Sequence, residues 1–182
     1  MDIKYSIEFF TYWHCGSGLS RGADADSLVV KDSNGLPFVP GKTVKGLLRE
    51  ATEDYIFLSE ETGKETMFVE LFGETGVRSE THFGNATLDE QERKWIVSQN
   101  AQKHLYGTIA STAIDDEGIA VKHSLRSMEV SVPCILHGEI VNAPEGADVL
   151  LNNSVGMIKN LGTNRNHGLG RCIIKLEKGG EK

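Results

Sequence analysis

The chain has 182 residues, 39% of them hydrophobic, and a formal net charge of -7, which suits one globular domain, residues 1–182, with a full core. No window approaches the roughly 18 consecutive apolar residues of a membrane span, and the start Met1-Asp2-Ile3-Lys4-Tyr5 lacks the regions of a secretory signal, so a cytoplasmic protein with no membrane partner is expected. Cys15, Cys134 and Cys172 are odd in number and have no Cys-x-x-Cys spacing, which signals free thiols and neither a disulfide framework nor a structural zinc cage.

In chain order, Tyr5 to Trp13 alternates, with Ile7 and Phe9 on one face and Phe10 and Tyr12 on the other, and reads as a first strand. Gly16-Ser17-Gly18 and Arg21-Gly22-Ala23-Asp24 then form an exposed loop whose small residues let a backbone approach a ligand. Ser27 to Val30 and Leu36 to Val39 flank Asp32-Ser33-Asn34-Gly35, the composition of a tight turn, and predict a hairpin. From Thr43, the positions Val44, Leu47, Leu48, Ala51, Tyr55 and Leu58 recur at helical spacing, while Lys45 and Arg49 lie four apart on another face.

Residues 59 to 82, rich in Glu, Thr and Gly around an apolar island at Met67 to Phe72, read as surface loop leading to a strand at Asn85 to Leu88. Gln91 to His104 reads as a short helix. Tyr106 to Ala113 and Ile119 to Val130 are β-capable arms around the turn Asp115-Asp116-Glu117-Gly118, predicting a long protruding hairpin over about 106–130. Cys134 to Val141 alternates as a strand, Leu150, Leu151, Val155, Ile158 and Leu161 mark a second helix, and Cys172 to Leu176 is a last strand. This α+β order is that of the split βαβ, or ferredoxin-like, sandwich with additions.

Charge is unevenly divided. Residues 50 to 92 hold 12 acidic and 2 basic groups, and the remainder 14 acidic and 17 basic. The basic positions Lys42, Lys45, Arg49, Arg126, Arg165 and Arg171 are thus free to form a local phosphate surface, although scattering over the exterior fits as well.

Three elements could carry chemistry. The first is Pro40-Gly41-Lys42-Thr43 at a helix start, where free backbone N–H groups and the helix dipole favour a phosphate and Lys45 and Arg49 add charge. It is not a nucleotide P-loop, since five residues separate Gly35 from Gly41 where that motif has four, and Pro40 occupies part of the cradle. A plain turn capping a helix is the alternative. The second is Gly162-Thr163-Asn164-Arg165-Asn166-His167-Gly168-Leu169-Gly170-Arg171, whose glycines let N–H groups converge on an anion while its Asn and Arg side chains donate to phosphate or ribose. An ordinary helix-to-strand connection competes with that reading. The third is the carboxylate pair Asp24 and Asp26 with His14 nearby: RNA cleavage needs a deprotonated 2′-hydroxyl and neutralised charge, which a carboxylate serves by accepting the proton or holding a divalent cation. Against this stand ordinary loop aspartates satisfying backbone donors, and a structural histidine.

Together these elements resemble the RAMP superfamily of CRISPR systems, most closely the repeated backbone subunit of type III effector complexes. Asp26 to Asp32, followed by Pro40-Gly41-Lys42-Thr43-Val44-Lys45-Gly46 and Arg49, corresponds to the family's aspartate, hairpin strand and Pro-Gly-Ser-Ser-Leu-Lys-Gly helix start. Leu71-Phe72-Gly73 with Phe83-Gly84-Asn85-Ala86 is similar to its middle motif, Thr112 to Leu125 to its thumb hairpin, and Asn166 to Arg171 to its closing glycine-rich loop. Lys42-Thr43 departs from the family's Ser-Ser, and the cysteine-rich zinc cluster of some members is absent.

The resemblance implies a modified RNA-recognition fold whose copies polymerise along a guide RNA beside other effector subunits. Guide contacts would come from Gly41, Lys42, Thr43, Lys45, Arg49 and Arg126, and from Asn164, Arg165, Asn166, His167, Gly168, Gly170 and Arg171. It further implies cleavage of single-stranded target RNA at regular intervals, supported by Mg2+ or another divalent cation at Asp26, with Asp24 as second choice. A non-catalytic scaffold, or a metal-independent guide-processing endoribonuclease using His14 as general base, are the alternative expectations.

Overall fold

The structure, a computed structural model, describes residues 1–20, 26–59 and 63–178. Strand β1 (Ile3–Phe9) buries Ile3, Tyr5, Ile7 and Phe9 and leaves Lys4 exposed, the period-two pattern of a sheet packed on one side. The strand is shorter than the alternation predicts, because the chain bends after Phe9. Trp13 then bridges Ser131 and stacks on Phe9 with ring centroids 4.6 Å apart.

Short β2 (Phe38–Val39) follows the expected turn, in which the Asp32 carboxylate accepts N–H bonds from Asn34 and Leu36, both at 2.9 Å. Helix α1 (Gly41–Ser59) buries Val44, Leu48, Ala51 and Thr52. Burying each Val or Leu contributes about 1.5–3 kcal/mol. Its last turn leaves the core behind: Phe57 is 82% and Leu58 67% exposed, so the periodicity outlasts the surface that could cover it.

The stretch read as loop from 59 to 82 contains a helix, α2 (Glu65–Phe72). Met67, Phe68, Leu71 and Phe72 fall on one helical stripe, and Leu71 and Phe72 are buried. Two-residue strands β3 (His82–Phe83) and β4 (Ala86–Thr87) lead to α3 (Glu90–Ser98), capped by Asp89, whose carboxylate accepts the Gln91 N–H at 2.9 Å. Strands β5 (Tyr106–Ser111) and β6 (Arg126–Ser131) pair antiparallel in a separate two-stranded sheet, and the Asp115 side chain closes the turn between them by accepting from Glu117 and Ile119.

Strand β7 (Ile135–Val141), helix α4 (Ala147–Ser154) and strand β8 (Cys172–Lys178) complete the chain. Helix α4 ends earlier than the apolar spacing to Leu161 predicts; a 3-10 turn takes over at Val155–Met157, and Ile158 and Leu161 beyond it are buried without helical geometry. The main sheet runs β2-β4-β7-β1-β8, with β3 also on β7, and every strand pair in it is antiparallel. Helices α1 and α4 pack against each other through a buried Thr52–Ser154 hydroxyl pair at 3.0 Å. One continuous core joins them to the inner face of the sheet.

Candidate functional site

The start of α1 is fixed by its neighbours. The Gly41 N–H donates to Asn85 Oδ1 at 2.8 Å, and the N–H groups of Thr43 and Val44 fold back on the Pro40 carbonyl. The free N–H cradle expected at this helix start is therefore largely occupied. Gly41 itself answers a packing need: a Cβ there would collide with the Phe83 carbonyl.

What the helix start offers instead is side-chain charge. Lys42, Lys45 and Arg49 line one wall of a groove of about 460 Å³, and Arg78 and His82 line it from the segment after α2. Phe72 and Phe83 contribute an aromatic floor. Lys45 Nζ lies 5.8 Å from the Phe83 ring centroid and Arg49 Cζ 5.5 Å from that of Phe68, positions that rest the cations on π-faces and leave their charges toward the groove. Among the described residues, none of these four Lys and Arg side chains forms an ion pair, and Glu74 is the acidic residue of the lining. Thr43 sits beside them, half-buried.

The glycine-rich loop 162–171 is held against the segment that follows β1. Gly170 N–H donates to the Tyr12 carbonyl, Arg171 N–H to Thr11 Oγ1, Thr163 N–H to the His14 carbonyl, and His167 N–H to the Asn164 carbonyl. These donors cannot also converge on an anion, which revises the expectation for this loop. Its glycines serve close packing: a Cβ on Gly170 would strike the Leu161 carbonyl, and one on Gly162 the His14 carbonyl. Asn164 takes the left-handed conformation at φ 57°, as does Gly168 at φ 87°. The side chains of Arg165, Asn166, His167 and Arg171 remain exposed. Arg165 and Asn166 border a second depression of about 210 Å³ against Glu50 and Asp54 of α1, a different flank from the one that carries Lys45 and Arg49. Arg165 reaches Glu50 at 3.7 Å, a solvated pair of little energetic weight.

Asp26 lies beside the loop-proximal end of the β5–β6 ladder, where it exchanges hydrogen bonds with Ser127, the partner of Ala110, next to the exposed Arg126. Asp24 falls outside the described residues. Behind Asp26 is a buried polar cluster the sequence did not announce. His14, 1% exposed, engages the Glu129 carbonyl through Nδ1 at 2.6 Å and Ser27 Oγ through Nε2 at 2.9 Å. The carbonyl can only accept, so Nδ1 carries a proton, and Nε2 pairs with the Ser27 hydroxyl. The Glu129 carboxylate takes the Val29 N–H at 3.1 Å and Lys31 Nζ at 2.8 Å. A histidine so enclosed cannot reach a substrate proton, and the general-base expectation for His14 gives way to the structural one.

Among the described residues, no three His, Cys, Asp or Glu side chains come together to hold a metal ion. Asp26 offers one carboxylate, with Oδ2 already accepting from Ser127. That donor set does not make an all-protein metal cage.

Fold and groove together define a mixed α/β protein, an antiparallel sheet backed by helices, with a strip of cations along one helix start. A family model described as the RAMP superfamily matches residues 6–173. The chain belongs to the RAMP superfamily. Two solved structures superpose on nearly its whole length. One is a chain of the type III-B Cmr-beta complex bound to cognate target RNA, with TM-score 0.74, 11% identity, and 97% of each chain covered. The other is a chain of type III-B Cmr-beta in the apo state, with TM-score 0.72, 13% identity, and 98% of each chain covered. At such identities the likeness is one of fold. No curated protein matches the sequence. Among the described residues, no helix is long and apolar enough to cross a membrane.

Proposed function

We propose that this chain is a guide-RNA-binding backbone subunit of a type III CRISPR effector complex, and that it cleaves target RNA paired to the guide. The observation that carries the reading is the groove at the start of α1, where Lys42, Lys45 and Arg49, without an ion-pair partner among the described residues, gather in a protein whose overall charge is -7. A polyanion is the partner such a concentration of cations suits, and the contacts would be to backbone phosphates rather than base edges. The fold shared with a chain of a complex bound to target RNA supports the same class of partner.

In this reading the order β4-β7-β1-β8, with α1 and α4 packed together, is a ferredoxin-like, modified RNA-recognition sandwich. The β5–β6 hairpin is the thumb that separates guide from target at intervals. Arg126, at the loop end of its ladder, and the exposed Arg165, Asn166, His167 and Arg171 add contacts to RNA.

Asp26 is the residue proposed for chemistry. With Oδ2 held by Ser127, Oδ1 is left to accept a proton from a target 2′-hydroxyl; the 2′-oxygen then bonds to phosphorus as the bond to the 5′-oxygen breaks and that oxygen takes up a proton. The products are a cyclic phosphate and a 5′-hydroxyl end. Mg2+ or another divalent cation, bound by Asp26 together with substrate phosphates, would supply charge neutralisation; Mg2+ is commonly held by one or two carboxylates plus phosphate oxygens. A scaffold without cleavage is the second reading, favoured by the hydrogen bond from Ser127 to Asp26, the kind an inert structural aspartate makes.

The test is a gel of labelled target RNA incubated with the assembled, guide-loaded complex, with and without Mg2+. Regularly spaced fragments that vanish with Asp26→Asn support cleavage by this subunit; intact target in every lane assigns it to the scaffold.

A further inference from the structure

The segment between α2 and β3 lies within the most acidic stretch of the sequence, residues 50–92, yet it brings its one cation, Arg78, to the groove. Residues 50–92 contain only two Lys or Arg side chains, Lys64 and Arg78, and Arg78 lines the same groove as Lys42, Lys45 and Arg49 from a different element. His82 joins it from β3. If residues 50–92 were only a solvated acidic surface, nothing would place one of their two cations in a groove that already holds three.

The segment is also built to hold that placement. Glu74 and Val77 exchange two backbone hydrogen bonds at 3.0 Å, closing a tight turn immediately before Arg78. Ser79 Oγ then caps the end of α2, at 2.6 Å from the Glu70 carbonyl and 2.9 Å from that of Leu71, and accepts the Thr81 N–H at 3.1 Å. Thr81 Oγ1 donates to the Asn142 carbonyl at 3.1 Å, tying the segment to the end of β7. Residues on both sides of Arg78 are thus fixed before any ligand arrives, which lowers the ordering cost of binding.

We propose that Arg78 and His82 form the second wall of a phosphate clamp, and that the groove grips the backbone of single-stranded RNA from two sides. The inference rests on the guide-binding reading above and extends it to residues outside the helix-start motif. Arg78 supplies a planar fork for a phosphate oxygen pair, and Lys42, Lys45 and Arg49 supply the facing charges. Contacts of this kind are indifferent to sequence and sensitive to salt, each contributing about 0.7 to the slope of log affinity against log salt for a single strand.

The test measures binding of a fluorescein-labelled single-stranded guide RNA to the purified full chain by anisotropy over a salt series. The variants are Arg78→Ala, Arg78→Lys, His82→Ala and Lys45→Ala, each checked for an unchanged melting curve. Arg78 and His82 are exposed, so folding should survive. The clamp requires Arg78→Ala to weaken binding several-fold and flatten the slope by about 0.7, alike for RNAs of different sequence, with Arg78→Lys recovering most of the slope. His82→Ala should weaken binding less. Unchanged affinity and slope in Arg78→Ala, alongside weakened binding in Lys45→Ala, would overturn the second wall and leave the guide-binding reading standing. No effect in Lys45→Ala either would bring down both.

Discussion

Asp26 and Ser127 stand 101 residues apart in sequence and exchange two hydrogen bonds: the Ser127 N–H donates to Asp26 Oδ2 at 2.7 Å, and the Asp26 N–H donates to the Ser127 carbonyl at 2.9 Å. The pairing continues one step further, where Ser27 bridges Met128 in parallel and accepts the Glu129 N–H at 3.0 Å. The segment carrying the proposed catalytic aspartate is thereby zipped along β6 of the hairpin, from Ser127 to Glu129. In the proposed function, the group that cuts and the arm that spaces the cuts are one mechanical unit.

That geometry separates charge from anchoring in a pair of variants. Asn at position 26 keeps an oxygen for the Ser127 N–H and loses the negative charge; Ala loses both. Cleavage by the assembled complex should fall to background in Asp26→Asn and Asp26→Ala alike. Only Asp26→Ala should also lower stability, by about 1 kcal/mol for an exposed hydrogen bond, read from urea unfolding. Full cleavage by Asp26→Asn would remove the carboxylate from the chemistry.

Two glycines of α1 are expected to respond in opposite directions. Gly41→Ala drives a methyl group into the Phe83 carbonyl, with the Gly84 carbonyl 2.9 Å away, and backbone cannot step aside as a flexible side chain can. A loss of about 1–3 kcal/mol in urea unfolding is expected. Gly46 is exposed in mid-helix with open space around its Cβ direction, so Gly46→Ala should stabilise by about 0.5–1 kcal/mol.

Burial pushes the Cys15 thiol up to about 12, with Cys172 nearby adding to the rise, and pushes Cys134 to about 12 and Cys172 to about 11. The folded state therefore holds these protons more tightly than the unfolded chain. Its stability advantage is complete below pH 9, the ordinary thiol value, and is lost as pH rises from there toward 11–12. Urea midpoints should decline across that range, and Cys15→Ala should flatten the decline even though it lowers the plateau. At pH 8, all three thiols should react slowly with iodoacetamide in the folded protein and quickly in urea.

The buried cluster behind Asp26 has its own signature. Removing His14 deprives both the Ser27 hydroxyl and the Glu129 carbonyl of a partner and leaves a cavity, so His14→Ala should cost several kcal/mol, on the order of 2–5. If His14 were instead a general base for guide processing, His14→Ala would fold normally and lose an EDTA-resistant activity on repeat RNA.

Local patterns were legible in the sequence and long-range partnerships were not. The Asp32 and Asp115 turns, the start of α1 and the inward stripe of β1 follow from residue types within one or two turns of chain. Helix α2 escapes a reading of the sequence because its five apolar residues sit in a short window surrounded by Glu, Thr and Gly, where composition argues for loop and only burial against Phe83 argues for helix; the Phe72 and Phe83 rings stack 5.7 Å apart. Val155, Ile158 and Leu161 misled in the other direction, since all three are buried but only the first lies in a helical turn. In the candidate site, Lys42, Lys45 and Arg49 could be found from spacing alone. Arg78 could not, because its place in the same groove depends on the fold of an acidic segment; the one hint was its rarity there as a cation. The Asp26–Ser127 exchange leaves no trace in sequence at all, and the N–H donors of the glycine-rich loop were expected to face a ligand when they are spent on Tyr12, Thr11 and His14.

In the proposed function, copies of this chain line up along a guide RNA. Native mass spectrometry of the complex reconstituted on guides of increasing length tests it most directly. One further copy of the chain is expected for each fixed increment of RNA, with the number of bound copies falling when Lys45 and Arg49 are both changed to Ala. A single copy whatever the guide length, or none at all, would contradict it.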